Sequence, residues 1–252
     1  MSMSKLQQAA AQQPALHTFV DLRKFAQDES QGIPLTASAG DDPFLASRRI
    51  LDLPPGPVTV GAISLEAGSG EVKVQPADEF IIVSEGNLTL TEQDSTLVLG
   101  RGKSVVLQHG ARFSWSAEGP VSVVFMRYQG SKAGERGLVP ISETPSLEPS
   151  APPSAELLLT PTPACRNYVD HRSADGEFYC GTWDSTPYHR RAMSYRHDEL
   201  IHLLEGSFTF EDETGRSSTF RPGDIVLVAR GAQCSWEHKE HVAKVYAIYR
   251  PA

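Results

Sequence analysis

Cysteine is scarce in this chain of 252 residues, which holds only Cys165, Cys180 and Cys234. Three is an odd number and no two of them form a Cys-x-x-Cys pair, so neither a disulfide framework nor a structural zinc cage is written here. Long apolar runs are missing as well. The longest, such as Ile225-Val226-Leu227-Val228-Ala229, have the length of a strand and fall far short of the roughly 20 residues of a membrane-spanning helix. Neither half has an excess of base: residues 1–130 carry 10 basic and 14 acidic side chains, residues 131–252 carry 13 and 17. That balance argues against a nucleic-acid face or an acidic tail. The stretch from Met1 to Pro14 lacks the apolar centre of a secretory signal. The expectation is a cytoplasmic protein with no nucleic acid and no membrane as partner. Nucleophile elbow, phosphate loop and dinucleotide fingerprint are all absent, and Gly68-Ser69-Gly70 reads as a turn.

What the chain does contain is a repeat. The block from Asp78-Glu79 to Glu85-Gly86 stands 120 residues ahead of the block from Asp198-Glu199 to Glu205-Gly206, and Gly61 matches Gly181 at the same spacing. Downstream the spacing becomes 121, pairing Gly102 with Gly223, Ser114-Trp115 with Ser235-Trp236, and Tyr128 with Tyr249. The extra residue falls around Gln93-Asp94-Ser95 in the first copy versus Glu213-Thr214-Gly215 in the second, where a hairpin turn tolerates it. The chain is a tandem duplication. Between the copies, Val139 to Ser154 contains five prolines, which exclude helix and central strand and favour an extended, semi-rigid connection. The layout predicted is an N-terminal extension over 1–40, a first unit over 41–130, a Pro-rich linker over 131–165 and a second unit over 166–252. Phe19 to Phe25 reads as a short helix on the first unit, and the Gln- and Ala-rich residues before it as a loose helix or a segment without fixed structure.

Within each copy, short apolar–polar alternations such as Ser207-Phe208-Thr209-Phe210-Glu211 are punctuated by glycine, the pattern of an all-β sandwich or barrel. At Leu204-Glu205-Gly206 and along Phe220-Arg221-Pro222-Gly223-Asp224 to Gly231, the second copy resembles the paired motifs of the cupins, which are small jelly-roll barrels. It is also similar to the branch that includes ureidoglycine aminohydrolase and the ethanolamine-utilisation cupins, through Gly181-Thr182-Trp183, Glu199 to Gly206, Gly231 followed by Trp236, and Lys244-Val245-Tyr246. The resemblance runs from Gly176 to Pro251, with an echo over Gly56 to Gly130. It implies an all-β bicupin, two tandem jelly-roll barrels.

The cupin pattern would imply two His, a Glu and a third His around one divalent metal, and this chain departs from it. Glu199 takes the Glu place, Ala192-Met193-Ser194-Tyr195 stands where the first two His are expected, and Cys234 replaces the third. Strand alternation offers a substitute, since Cys234, Trp236 and His238 share one face and Glu199 shares another with Ile201 and Leu203. If both faces line the barrel, Glu199, Cys234 and His238 form an O/S/N set for Zn, Mn or Fe. The other reading is no metal, with Cys234 a small buried apolar residue and His238 on the rim. His197 and His189 flank the same region, as stand-in ligands or surface residues. His202 has the opposite parity to Glu199 and points outward, to an interface.

Lys244 and Tyr246 share a face of the last strand, and the resemblance implies that Lys244, Trp183 and Trp236 look inward. A Lys inside a barrel needs a partner, and Glu199 is the natural one. Glu199 and Lys244 are therefore the candidate acid–base residues, and Trp183, Trp236 and Tyr246 the candidate substrate-binding residues. At the positions of Cys234, His238 and Lys244 the first copy has Phe113, Ala117 and Val123, so it reads as a filled scaffold. The function expected is acting on or binding a small polar metabolite of carboxylate or ureido/amide type in the second barrel. The alternatives are a metal-free sensor, or a structural tandem that forms a homodimer.

Overall fold

The computed structural model describes residues 18–35, 40–134 and 137–252, so the Gln- and Ala-rich N-terminal residues lie outside it. The described chain forms two barrels, each a seven-stranded sheet curled against a four-stranded one. In the first barrel the large sheet runs Leu138–Pro140, Ser104–Leu107, Asp78–Glu85, Val121–Tyr128, Val58–Leu65, Arg48–Ile50, Ile33–Pro34. Its small sheet runs Gly68–Val72, Phe113–Ala117, Leu88–Glu92, Ser95–Leu99. The second barrel repeats this order with Phe19–Asp21, Ile225–Val228, Asp198–Glu205, Val242–Tyr249, Phe178–Ser185, Cys165–Arg172, Glu148–Ser150, and a small sheet of Tyr188–Ser194, Gln233–His238, Phe208–Glu211, Ser217–Phe220. Among the described residues no helix is long and apolar enough to cross a membrane.

The alternation read from the sequence sets which face each side chain takes. Ile81, Val83, Ile201 and Leu203 fill the barrel interiors. Phe80, Ile82 and Leu200, one residue out of phase, join Val60, Val124, Ile225 and Val245 in an apolar layer between the two large sheets. Each such side chain contributes about 1.5–3 kcal/mol on burial, so the interface is a core in its own right. The repeated Glu-Gly step is fixed by sterics: Gly86 and Gly206 have φ of 82° and 74°, and a Cβ on either would collide with the carbonyl of the residue just before the neighbouring strand, Pro120 or His241.

Two connections differ from the sequence expectation. The residues expected to form one helix on the first barrel divide into a strand, Phe19–Asp21, and a helix, Leu22–Gln27, capped by the Asp21 carboxylate on the Lys24 amide. The strand pairs with Ile225–Val228 of the second barrel, Phe19 opposite Val228. Its counterpart, Leu138–Pro140, pairs in the same way with Ser104–Leu107 of the first barrel. The two copies thus exchange their leading strands. The Pro-rich connection is likewise stitched into both sheets, and Pro140 and Pro149 are tolerated because their strands are outermost. Gly68 to Gly70 begins a strand instead of a turn, and Gly70 gives Asp42 and Trp115 room to approach.

Candidate functional site

Glu199 enters the second barrel because Asp198–Glu205 alternates inward at that residue, and Lys244 enters from the adjacent Val242–Tyr249 strand, opposite both Leu203 and Trp183. Glu199 lies opposite Ile248, farther along the same strand, and the flexible lysine reaches in that direction until Nζ meets Glu199 Oε1 at 2.7 Å. Both groups are buried, at 5% and 7% exposure. The Lys244 ammonium also lies 4.7 Å from the Trp183 ring centre and 4.9 Å from that of Trp236, a cage that favours the charged amine. The second carboxylate oxygen faces His197 Nε2 at 3.4 Å, and His197 Nδ1 lies 3.3 Å from Arg250 Nη2. Burial pushes the Glu199 carboxyl up, but the charge of Lys244 and the contact with His197 outweigh it and hold the group at about 2.

Above this pair opens a cavity of about 520 Å³. Trp183, Tyr188, Trp236 and Tyr246 form aromatic walls, Arg190 and Arg250 add positive charge, and Ser150 to Ser154 of the connection close one side. Tyr246 directs its hydroxyl toward the Tyr168 carbonyl, 3.4 Å away. Trp236 is sandwiched between Phe208 and Tyr188, at 4.2 and 6.3 Å. Two buried polar atoms of the lining, Trp236 Nε1 and Ser150 Oγ, have no hydrogen-bond partner among the described residues.

The first barrel is the internal control. Glu79, the counterpart of Glu199, is completely buried and gripped by Arg48 at 2.7 and 2.9 Å and by Arg127 at 2.6 Å. Burial again raises the carboxyl, and the two guanidinium groups bring it down to about 2. The helix Pro43–Ala46 inserts Phe44 against Phe113, 5.5 Å between rings. Just before it, Asp42 Oδ1 accepts from Trp115 Nε1 at 2.8 Å. Trp115 corresponds to Trp236, whose indole N–H lacks any such acceptor. Asn167 holds the register position of Arg48, since it pairs with Trp183 as Arg48 pairs with Ile63. One barrel is plugged and internally neutralised, while the other keeps its interior open.

The geometry brings Glu199, Lys244, Trp183, Trp236 and Tyr246 around one cavity. The set Glu199, Cys234 and His238 is not assembled. Among the described residues no three His, Cys, Asp or Glu side chains converge as a metal requires. Glu199 is occupied by Lys244, burial pushes the Cys234 thiol up to about 11, and His238 turns Nδ1 to the Glu240 carbonyl at 2.8 Å. A thiol must ionise to ligate. The donor set present does not fit the metal expected from the resemblance. In the first-His region stand Arg190 and Tyr195 instead, joined at 2.7 Å, with Arg190 also donating to the Cys234 carbonyl at 2.9 Å. Arg190, Tyr195, Asn167, Arg250 and the Ser150–Ser154 wall are site features that alternation alone does not reveal. Only the displacement of the metal ligands near Tyr195 hinted at the first two.

Residues 172–246 match the EutQ-like cupin domain. No curated protein matches the chain. Among solved structures it is similar to a protein of unknown function from Pseudomonas syringae pv. tomato, with 26% identity, a TM-score of 0.81, and coverage of 92% of this chain and 98% of that one. Protein Ylba from E. coli shares the fold at 10% identity and a TM-score of 0.52, over 87% of this chain and 90% of that one. Salicylate 1,2-dioxygenase from Pseudoaminobacter salicylatoxidans does so at 12% identity and a TM-score of 0.51, over 92% and 83%. The Glu-Gly and Pro-Gly-Asp motifs and this match make the second barrel a cupin domain of the EutQ-like kind, and the duplicated jelly-roll barrels give the whole chain the fold of a bicupin.

Proposed function

We propose that the second barrel binds a small carboxylate-bearing metabolite and that Glu199 and Lys244 carry acid–base chemistry on it. The observation behind this reading is the indole N–H of Trp236, buried beside the cavity without an acceptor, where the same N–H in the first barrel is satisfied by the Asp42 carboxylate. A buried donor left unmade costs about 1–3 kcal/mol. A ligand carboxylate supplies what Asp42 supplies in the other copy. An amide or ureido carbonyl offers the same acceptor with less charge, so these groups belong to the same class.

The electrostatics support the anion. Lys244, Arg190 and Arg250 face the cavity against the single carboxylate of Glu199, and the aromatic walls exclude water from the contacts. A carboxylate that draws Lys244 toward itself removes the charge that keeps Glu199 acidic. Burial then dominates, the Glu199 pKa rises, and the carboxylate becomes a competent proton acceptor close to the ligand. Lys244 serves as the counter-charge to the ligand carboxylate, and when Glu199 has passed its proton back to the product or to water the Glu199–Lys244 ion pair re-forms.

The test is a pair of variants on the full chain. Trp236→Phe keeps the ring and removes the donor, and is expected to weaken carboxylate binding about tenfold or more. Glu199→Gln is expected to bind ligand and to abolish turnover. Unchanged turnover in Glu199→Gln refutes the acid–base assignment, and unchanged affinity in Trp236→Phe refutes the binding mode.

A further inference from the structure

A second cavity, of about 360 Å³, lies between the two barrels and away from the site above. Its walls are the same two turns contributed twice. The first copy supplies Val83-Ser84 and Arg101-Gly102-Lys103, and the second supplies Leu203-Leu204 and Pro222-Gly223 at the matching positions. Gly102 and Gly223 both adopt positive φ, 82° and 91°, which folds each turn toward the cleft. Duplication alone would give two equal walls, but the copies have diverged in one direction. Arg101, Lys103 and Ser84 stand where the second copy has Pro222, Asp224 and Leu204. Arg23, from the exchanged N-terminal segment, adds a third cation to the cleft.

His202 is the second anomaly. It occupies the place of Ile82, in the layer that both sheets otherwise fill with apolar side chains. It is 5% exposed, lines the cleft, and its Nδ1 has no hydrogen-bond partner among the described residues. Ser84, 1% exposed, lines the same cleft, and among the described residues its Oγ is also unpartnered. Two unsatisfied buried polar groups in one place are costly unless something fills it. The charged groups facing His202 from the packed elements are Arg23, Lys103, Glu143 and Asp224. Lys103 meets Glu143 at 2.6 Å and Arg23 meets Glu85 at 2.8 Å, while Arg101 stays 3.9 Å from Glu85 and more than half exposed.

We propose that this inter-barrel cleft is a second ligand site for the oxyanion group of a small molecule, a phosphate or a carboxylate. Arg101, Arg23 and Lys103 supply the charge, and His202 and Ser84 supply the buried hydrogen bonds. Such a ligand clamps both barrels at the seam where the duplication joins them, so its occupancy acts on the interface rather than on either barrel interior.

The experiment uses the full chain, with sodium phosphate and sodium malonate as separate probes against sodium chloride at matched ionic strength. Scanning fluorimetry and calorimetry are expected to show one anion bound per chain and a melting temperature raised by roughly 3–6 °C at about tenfold excess over Kd. Phosphate acting alone assigns a phosphoryl ligand, and malonate acting alone a carboxylate. Arg101→Ala, at an exposed position, is expected to weaken binding about tenfold. His202→Ile, which restores the residue of the first copy, is expected to lose the ligand effect without lowering the melting temperature of the unliganded protein. Trp236→Phe is expected to leave this binding intact, which separates it from the barrel site. Absence of any shift with either anion overturns the proposal, and so does a shift that persists in both Arg101→Ala and His202→Ile.

Discussion

Replacing Lys244 by Met removes one half of a buried ion pair while keeping a side chain of similar length against Trp183 and Trp236. Glu199 rests at about 2 against an ordinary 4.5, a difference of about 3 kcal/mol in favour of its ionised form. Without Lys244 the largest opposing charge is gone, only the weaker contact with His197 still counters burial, and the carboxyl pKa rises. Losing one partner of such a pair costs about 3–5 kcal/mol. For a chain of this size that is a fall in melting temperature of roughly 6–20 °C. The double variant Glu199→Gln with Lys244→Met has no carboxyl that must be buried either unpaired or protonated, and is expected to recover at least about 1 kcal/mol of the loss. Denaturant melts of the single and double variants at neutral pH give the coupling directly. A loss below about 1 kcal/mol for Lys244→Met, the value of an exposed pair, would refute the placement of the pair inside the barrel.

Other consequences concern pH and the first copy. Because the Glu199 pKa is depressed in the folded state, the pair's contribution is fully present above about 4.5 and is lost as pH falls toward about 2. His202 titrates on the acid side as well: burial lowers it from 6.5 to about 4. The folded state therefore resists its protonation, and about 3 kcal/mol of stability is lost as pH drops from 6.5 to about 4. His202→Ile should flatten the stability–pH curve over that window. Glu79→Gln leaves Arg48 and Arg127 buried without their carboxylate and should cost about 3–5 kcal/mol, with ligand affinity in the second barrel unchanged; altered affinity would mean that the copies do not divide the work as described.

The duplication and the all-β barrels were legible because they rest on local signals: a period of two, glycine at the turns, and a repeat that includes Trp and paired acids. Strand parity also put His202 on the opposite side to Glu199 and Trp236 on one face with Cys234 and His238, while the inward direction of Lys244, Trp183 and Trp236 came from the family resemblance. The exchanged strands Phe19–Asp21 and Leu138–Pro140 were not legible, because three-residue segments carry no periodicity and their partners lie in the other copy. The Arg48 and Arg127 grip on Glu79 was hidden for a related reason. Matching residues at fixed spacing showed Phe113, Ala117 and Val123 as apolar replacements, while the neutralising charges came from positions outside that comparison, Arg48 on the Arg48–Ile50 strand and Arg127 farther along the strand of Val123. The expected Glu199, Cys234 and His238 set failed on direction: three inward residues can share a barrel without pointing at one another, and Arg190 fills the space between Tyr195 and the Cys234 carbonyl.

The chain has three tryptophans, Trp115, Trp183 and Trp236, and two of them cage Lys244 at 4.7 and 4.9 Å. A fluorescence titration of the Trp115→Phe protein with a panel of small carboxylic acids and their amides therefore reads the second barrel alone. At least one member is expected to give a saturable change, weakened about tenfold or more when Lys244→Met is added. A panel without any saturable response, or one equally strong in the Lys244→Met background, would contradict a carboxylate site at Lys244 and Trp236.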